Sequence, residues 1–271
     1  MQIKLGFSLS YDCPAPTPML LTLSLHPSRR PDLLTPNVLS FSPHIESWDY
    51  YDSYGNVCTR VTAPPGRMTV STEFDVHDTG LPDVVPFDAT QHAIRDLPDD
   101  TLMYLMGSRY CETDRLTEIA WGLFGHTPEG WPRVQAILDF VHNHLTFDYQ
   151  RADRTRTAFD AYNQRVGVCR DFAHLALTFC RCMNIPARYC TGYLGDIGVP
   201  VMDAPMDFSA WFDVYIDGDW YTYDARHNAP RIGRILMARG RDATDTALTT
   251  SFGSALLVGF TVHTDEVQSV E

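Results

Sequence analysis

The segment 165–175 reads RVGVCRDFAHL, and it decides the fold of the second half of the chain. Gly167 and Cys169 stand at the start of a predicted helix within this segment. The apolar residues that follow share one face at helical spacing, namely Phe172, Leu175, Ala176, Phe179 and Met183. Pro186 ends the pattern because proline cannot continue a helix.

Cys169 is the candidate nucleophile. The first turn of a helix offers unpaired N–H groups and the positive end of the helix dipole, and both lower the pKa of a thiol. Gly167 would allow a tight turn that directs the sulfur into a cleft. The alternative is that Cys169 is a small buried apolar residue, which is the common use of a free cysteine. We interpret the other six of the seven cysteines in that way.

Strands are predicted after the helix. Residues 187–194 and 211–216 read as two strands, and the turn DGD at 217–219 leads into a hairpin strand that ends at Asp224. A late strand over 256–262 is expected to return to the sheet. A helix preceded and followed by such strands predicts an α+β domain with helices packed on an antiparallel sheet.

These strings together resemble the transglutaminase-like superfamily, of the bacterial cysteine protease type. The resemblance covers about residues 105–262. Besides the cysteine segment it rests on NIPAR at 184–188, YCTGY at 189–193, AWFDVY at 210–215 and WYTYD at 220–224. It implies a papain-like catalytic domain with a Cys-His-Asp triad. In this triad Cys169 would form a thioester with an amide substrate, and Asp224 would be the third member.

The chain departs from the family pattern at the histidine. Ser209 occupies that position in DFSAW, residues 207–211. Serine has no basic nitrogen that could accept the thiol proton. His227 lies three residues after Asp224 and could act as the base if its loop folds over the cleft. The alternative is that His227 only packs its loop.

The remaining histidines near these motifs are interpreted as structural. His174 lies five residues after Cys169 on the same helix, so its side chain points away from the cysteine, and a backbone carbonyl is its expected partner. His142 and His144 end the preceding predicted helix, where a positive charge interacts with the helix dipole.

Other polar residues are candidates for the cleft. Gln150 or Tyr149 could stabilise an oxyanion beside the Cys169 backbone N–H, although an ordinary polar pair at a strand end is the alternative. Trp211 is a possible cleft residue. Asp196 and Asp207 could line the rim of the cleft, but they are interpreted as solvated loop carboxylates. The arginines after Asp224 either bind an anionic group or form salt bridges; they are Arg226, Arg231, Arg234, Arg239 and Arg241.

The first half of the chain is predicted to be a β-sandwich. Apolar and polar residues alternate at 2–7, 20–25 and 69–76, with Pro- and Gly-containing turns between them. Residues 81–100 are rich in Pro and Asp and predict a linker. We therefore divide the chain into an N-terminal β domain, 1–88, and a catalytic domain, 89–271. The first part loosely resembles the extra domain that precedes bacterial transglutaminase-like domains.

Composition excludes several classes of partner. The net charge is −13 over 271 residues, and such a surface repels nucleic acid and anionic membranes. The seven cysteines include no CxxC pair, and no cluster has the spacing of metal ligands, so neither metal nor cofactor is expected. The start of the chain lacks the apolar block of a signal peptide, which predicts a cytoplasmic protein. The oligomeric state stays open.

Two functions are compatible with these residues. The first is thiol-dependent amide chemistry, either hydrolysis of a peptide or acyl transfer, through a thioester on Cys169. The second is a catalytically inactive homologue that uses the cleft to bind a peptide or a partner. The retained Cys169 and Asp224 favour the enzyme, whereas Ser209 favours the binding module.

Overall fold

The computed structural model describes residues 1–201 and 205–267. The first half contains six strands: β1 (Gln2–Cys13), β2 (Thr17–Leu21), β3 (Ser40–Ser42), β4 (Ser47–Tyr51), β5 (Val57–Ala63) and β6 (Gly66–His77). The second half begins with helices α1 (Asp99–Leu102), α2 (Thr113–Phe124) and α3 (Trp131–His144). Then follow β7 (Thr146–Phe147), α4 (Ala158–Gln164), β8 (Val166–Gly167) and α5 (Cys169–Cys182). The last strands are β9 (Ala187–Leu194), β10 (Ser209–Ile216), β11 (Asp219–Tyr223), β12 (Arg234–Gly240), β13 (Thr249–Ser251) and β14 (Leu256–Glu266).

Two antiparallel sheets form the β half, with strand orders β14-β1-β6-β3 and β13-β2-β5-β4. Alternate residues of β1 point into a shared core, among them Ile3, Leu5 and Leu9, which are all but fully buried. Alternation of apolar and polar residues produces this arrangement, since successive side chains of a strand face opposite sides of the sheet. The predicted α+β class with a leading β-sandwich is confirmed.

The end of the chain crosses back to the β half. The predicted late strand does return to a sheet, but its partner is β1, with Phe7 opposite Val262, and β13 pairs with β2. Tyr193, Ile235 and Met237 of the second half also belong to the core of the sandwich. Residues 249–266 therefore complete the N-terminal sheets, and the division of the chain at residue 88 stays a prediction.

Helix α5 is the centre of the second half. It packs on the sheet β11-β10-β9-β12, and α2, α3 and α4 surround it. The five apolar residues predicted to share a face are all buried. The Phe179 ring, for example, contacts the rings of Phe124, Phe140 and Tyr162. This packing holds α5 rigidly, and with it the cysteine at its first residue.

A buried ion pair anchors the start of α5. Asp171 Oδ2 accepts from the Val168 N–H at 2.9 Å and from Arg156 Nη1 at 3.1 Å. A Cβ atom on Gly167 would lie 2.5 Å from the Asp171 Cβ, which is too close. Gly167 is thus needed for the close approach of Asp171 rather than for a tight turn, which corrects the expectation from the sequence.

Within the described residues, no helix has both the length and the apolar character that crossing a membrane requires.

Candidate active site

Cys169 occupies the first position of α5 and is partly exposed, while the other six cysteines are buried. The Asp171 N–H of the first turn already donates to the Val168 carbonyl at 2.8 Å, so the backbone N–H of Cys169 itself is the helix donor nearest the sulfur. The Ala210 backbone N–H, from the start of β10, lies near the sulfur and opposes the rise in the pKa of the Cys169 thiol. These donors could hold an oxyanion formed during attack on a carbonyl.

The pKa of the Cys169 thiol moves in the direction opposite to the one expected from the helix terminus. Burial raises the pKa of this thiol to about 11, and the carboxylates of Asp207 and Asp224 add to the rise. The Arg226 charge and the Ala210 N–H oppose the shift without cancelling it. The resting cysteine is therefore a neutral thiol at pH 7, and it needs a base to become a nucleophile.

Asp224 and His227 form a hydrogen-bonded pair. His227 Nδ1 lies 2.8 Å from Asp224 Oδ2, and because a carboxylate can only accept, Nδ1 carries the proton. Asp224 Oδ1 accepts from the backbone N–H groups of Arg226 and His227, at 2.9 and 3.2 Å. This geometry leaves Nε2 of His227 as the basic nitrogen, and among the described residues no hydrogen bond uses it.

A buried arginine holds the carboxylate of this pair. Arg234 Nη2 donates to Asp224 Oδ2 at 3.1 Å, and Arg234 Nε donates to Asp83 Oδ2 at 2.8 Å. Burial opposes ionisation of Asp224, but Arg234 and the hydrogen bonds from His227 outweigh it, so the pKa of the carboxyl lies well below its ordinary value. Asp224 thus stays ionised and orients the imidazole. Asp83, in the predicted linker, is part of this network.

Two adjacent cavities meet at the start of β10. Cys169 lines a cavity of about 530 Å³, and His227 lines one of about 200 Å³ together with Tyr149. Ser209, Asp207 and Phe208 line both cavities. Ser209 Oγ is buried and has no hydrogen-bond partner among the described residues. Ser209 therefore borders both the cavity of the thiol and the cavity of the imidazole.

Other predicted cleft residues have different positions. Tyr149 lines the smaller cavity. Burial raises the pKa of its phenol, and the nearby Cys169 and Asp207 groups add to the rise. Its hydroxyl is therefore a donor at neutral pH. Gln150 is exposed and lines neither cavity. Trp211 is buried, and the Arg234 guanidinium lies over it, 5.2 Å from the centre of the Trp211 ring. A role of Gln150 or Trp211 in the cleft stays a prediction.

The arginines after Asp224 divide between the cleft and ion pairs. Arg226 lines the smaller cavity, with its guanidinium 3.8 Å from the centre of the Phe147 ring. Arg231 approaches Asp196 at 3.9 Å, and Arg241 pairs with Asp245 at 3.0 Å. Ion pairing is thus observed for Arg231 and Arg241, whereas binding of an anionic group by Arg226 stays a prediction.

The remaining histidines support the scaffold. His174 does not bond a backbone carbonyl, as had been expected; instead its Nε2 accepts from the Ala243 N–H at 3.1 Å, and its ring stacks on Tyr110. Burial lowers the pKa of His174 to about 3, so it stays neutral. His142 Nδ1 lies 3.0 Å from the Arg226 carbonyl and so holds the loop that carries His227, while His144 bonds the Tyr162 carbonyl.

Comparison with known proteins places this arrangement in a family. The profile of the transglutaminase-like superfamily matches residues 122–225. The fold aligns with the structure of a candidate cysteine protease from Cytophaga hutchinsonii with a TM-score of 0.83 and 29% identity, over 99% of this chain and 91% of that one. Residues 122–225 of the chain therefore carry a transglutaminase-like core. An uncharacterised protein of Mycobacterium leprae is 28% identical over 211 residues, 76% of this chain and 75% of that protein.

The transglutaminase-like match contains Cys169, Ser209 and Asp224 and ends two residues before His227. The basic residue that pairs with Asp224 thus lies outside the segment that defines the superfamily. The likeness to the Cytophaga protein, in contrast, spans nearly the whole chain, so the β half and the returning strands belong to the shared architecture.

Two residues near the transglutaminase-like cysteine were underrated from the sequence. Asp207 was interpreted as a solvated loop carboxylate, but it lines both cavities and burial raises its pKa. Arg226 was one of five similar arginines. Asp207 precedes β10 and Arg226 lies in the turn after Asp224, so neither follows a regular spacing from which its position could have been predicted.

Iodoacetamide is expected to modify Cys169 before any of the other six cysteines, because it alone among the seven is partly exposed. The thiolate is the reactive form, and with a pKa of about 11 the rate should rise about tenfold per pH unit between pH 7 and 10. Mass spectrometry of digests, with Cys169→Ser as the control, measures both. Earlier labelling of Cys58, or a rate that levels off below pH 8, would contradict this.

Proposed function

We propose that this protein catalyses thiol-dependent acyl chemistry on a peptide or protein amide, with Cys169 as the nucleophile and the His227–Asp224 pair as its base. The observation that carries the proposal is the 2.8 Å contact between His227 Nδ1 and Asp224 Oδ2. It gives the site an oriented, basic imidazole even though Ser209 stands at the usual histidine position. The fold of a superfamily with a cysteine protease candidate as relative supports the same chemistry.

The reaction would begin with attack of the Cys169 sulfur on the substrate carbonyl, while His227 Nε2 takes the thiol proton. The tetrahedral oxyanion would be held by the Cys169 and Ala210 N–H groups and by the Tyr149 hydroxyl. Collapse breaks the C–N bond, and the leaving amine takes the proton from His227. Water, or a second amine, then attacks the thioester, so the same intermediate leads to hydrolysis or to acyl transfer.

The neutral resting thiol has a consequence for this mechanism. A thiolate already present would react with any electrophile, whereas a thiol with a pKa of about 11 reacts only when the base removes its proton. Among the described residues no hydrogen bond joins the Cys169 sulfur to the His227 imidazole, and Ser209 Oγ, at the border of the two cavities, has no partner. Catalytic hydrogen bonds commonly tighten only in the substrate complex.

A burst experiment tests the proposal. The full chain is mixed with p-nitrophenyl acetate, and an acetyl group on the peptide that carries Cys169 is sought by mass spectrometry after acid quench. A burst of nitrophenol and an adduct are expected in the native chain and absent in Cys169→Ala. Addition of a primary amine separates the two outcomes, because acyl transfer speeds turnover and yields the amide, while hydrolysis does neither. No adduct at Cys169 would refute the proposal.

The inactive binding module is the second candidate, and one observation favours it. The high pKa of the Cys169 thiol is what a cysteine without catalytic function would show. In that case peptides would still bind to the cleft, but no acyl adduct would form at any pH. Peptide binding to the cleft without acylation of Cys169 would support the inactive binding module.

Replacement of Ser209 by histidine is expected to raise amide turnover. The Ser209 hydroxyl has no partner, so its loss costs no hydrogen bond, and the imidazole would enter the region where both cavities meet. In a His227→Ala background we expect about tenfold or more recovery of kcat, because a general base typically contributes about 10²-fold or more. Ser209→Asn is the control, with a similar size and no base. Equal activity of the two variants would argue against a vacant base position.

A further inference from the structure

The cavity of about 530 Å³ that contains Cys169 has two walls of different character. The catalytic wall comes from the second half and includes Cys169, Tyr189 and Ser209. The other, which we call the β wall, consists of Leu9 and Tyr11 of β1 together with Leu257 and Phe260 of β14. The sandwich therefore forms one side of the candidate active site.

The β wall is apolar, and its β14 residues are accessible while Leu9 and Tyr11 are buried behind them. Leu257 is 46% exposed and Phe260 is 41% exposed, although both belong to a strand, and they lie opposite Tyr11 and Leu9 in the ladder. Strand β14 is at the edge of its sheet in the described part of the chain. Contiguous exposed apolar residues on an edge strand mark a place where another chain binds, because such a strand otherwise invites aggregation.

The same cavity contains two unpaired hydroxyl groups. Ser209 Oγ and Thr246 Oγ1 are buried without a hydrogen-bond partner in the described structure, and the residues are 7% and 3% exposed. An unsatisfied buried polar group is costly, so such groups commonly find a partner in a ligand or in ordered water. A peptide main chain, with alternating donors and acceptors, supplies partners for both.

Charged groups are confined to the catalytic wall. They are Asp207, Arg154 and Arg170, of which Arg170 follows the nucleophile directly. None of the β wall residues carries a charge. A charged side chain placed against Leu257 and Phe260 would lose hydration without gaining an ion pair, whereas an apolar side chain would gain burial.

We propose that the β wall is the substrate-selecting surface of this protein. It would bind an extended peptide with an apolar side chain against Leu257 and Phe260, its main chain bonded to the hydroxyls of Ser209 and Thr246. The inference deepens the proposed function, on which it rests, by naming the class of substrate. A cavity of this size belongs to the range of small ligand sites and holds a few residues of an extended peptide.

Binding of fluorescein-labelled hexapeptides to the full-length Cys169→Ala chain tests the proposal. The peptides differ at one central position, which is Leu, Phe, Asp or Lys, and anisotropy gives the Kd of each. We expect about tenfold or tighter binding for Leu and Phe, the scale for burial of one such side chain. Equal affinity for the four peptides, or no binding of any, would overturn the proposal.

Variants locate the preference. Leu257→Gln should reduce the apolar preference to about twofold or less, since Leu257 lines the cavity. Leu256→Gln is the matched control, because Leu256 is 65% exposed on the same strand and does not line it. Thr246→Val, which keeps the shape and removes the unpaired hydroxyl, should weaken all peptides about threefold to tenfold without loss of stability. An equal effect of the two leucine variants would overturn the assignment.

Failure of the selecting surface and failure of the chemistry are distinguishable. If the native chain forms no acyl adduct but the Cys169→Ala chain prefers apolar peptides, the proposed function fails and the β wall stands as a binding site. If acylation occurs and the four peptides bind equally, the chemistry stands and the β wall is refuted.

Discussion

Replacement of His227 by alanine is expected to lower the kcat for amide turnover by about 10²-fold or more, the usual contribution of a general acid–base group. The imidazole is the basic group that Asp224 orients, through the 2.8 Å bond to Nδ1. Without it, no basic nitrogen pairs with that carboxylate, and a neutral thiol would have to ionise unaided. The loss is measured as kcat at several pH values, with the peptide that binds most tightly as the substrate.

The His227→Ala chain should remain folded, so the loss reports on chemistry. Asp224 would keep its hydrogen bonds from Arg234 and from the backbone N–H groups of residues 226 and 227. His126→Ala is the matched control, because His126 is an exposed histidine between α2 and α3. Its activity should equal that of the native chain.

Unchanged turnover in His227→Ala would eliminate this histidine as the base. Asp207 would then be the next candidate, since it lines the cavity with Cys169 and burial raises the pKa of its carboxyl. A loss in Asp207→Asn together with an active His227→Ala chain would assign proton transfer to the carboxyl.

Replacement of Arg156 by methionine is expected to destabilise the protein by about 3–5 kcal/mol, the range for removal of one partner of a buried ion pair. The side chains of Arg156 and Asp171 are 4% and 0% exposed, and the two groups are 3.1 Å apart. Methionine retains much of the volume, so the loss comes from the carboxylate left behind and from the Gln164 and Arg151 oxygens, which lose their donor. The midpoint of urea unfolding measures it.

The Arg156→Met loss should depend on pH in a defined direction. Burial already raises the pKa of Asp171, and removal of Arg156 takes away a charge that lowers it. A carboxyl whose pKa is raised in the folded state stabilises that state less as pH rises through this pKa. The variant should therefore lose more stability at pH 8 than at pH 5. Arg154→Met, an exposed neighbour, is the control, and equal midpoints for both variants would contradict the role of the pair.

The position of Cys169 at a helix start was predictable because it depends on local pattern. The helical spacing from Phe172 to Met183 predicts α5 and places Cys169 at its first turn, although the fold buries every residue from Asp171 to Cys182. The hairpin of β10 and β11, with its turn at 217–218, follows from the same kind of short-range signal. The resemblance of these strings to the transglutaminase-like superfamily was confirmed by the profile match and by the Cytophaga structure.

The environment of the nucleophile was not predictable in this way. The pKa of the Cys169 thiol is raised although its helix position alone would lower it, because enclosure by other elements outweighs the dipole. Sequence spacing says nothing about how much water the fold excludes from one sulfur atom. For the same reason the role of Asp207 was underrated.

The sequence by itself determined the α+β class, the start of α5 at Cys169, the strand that ends just before Asp224, and the absence of a histidine at residue 209. Only the tertiary structure decided which distant groups meet them. Asp83 reaches Asp224 through Arg234 from 141 residues away (224 − 83), and β14 returns to β1 to bring Leu257 and Phe260 to the cavity of Cys169. Local periodicity specifies elements, whereas such long-range contacts depend on how the buried faces of all elements pack together.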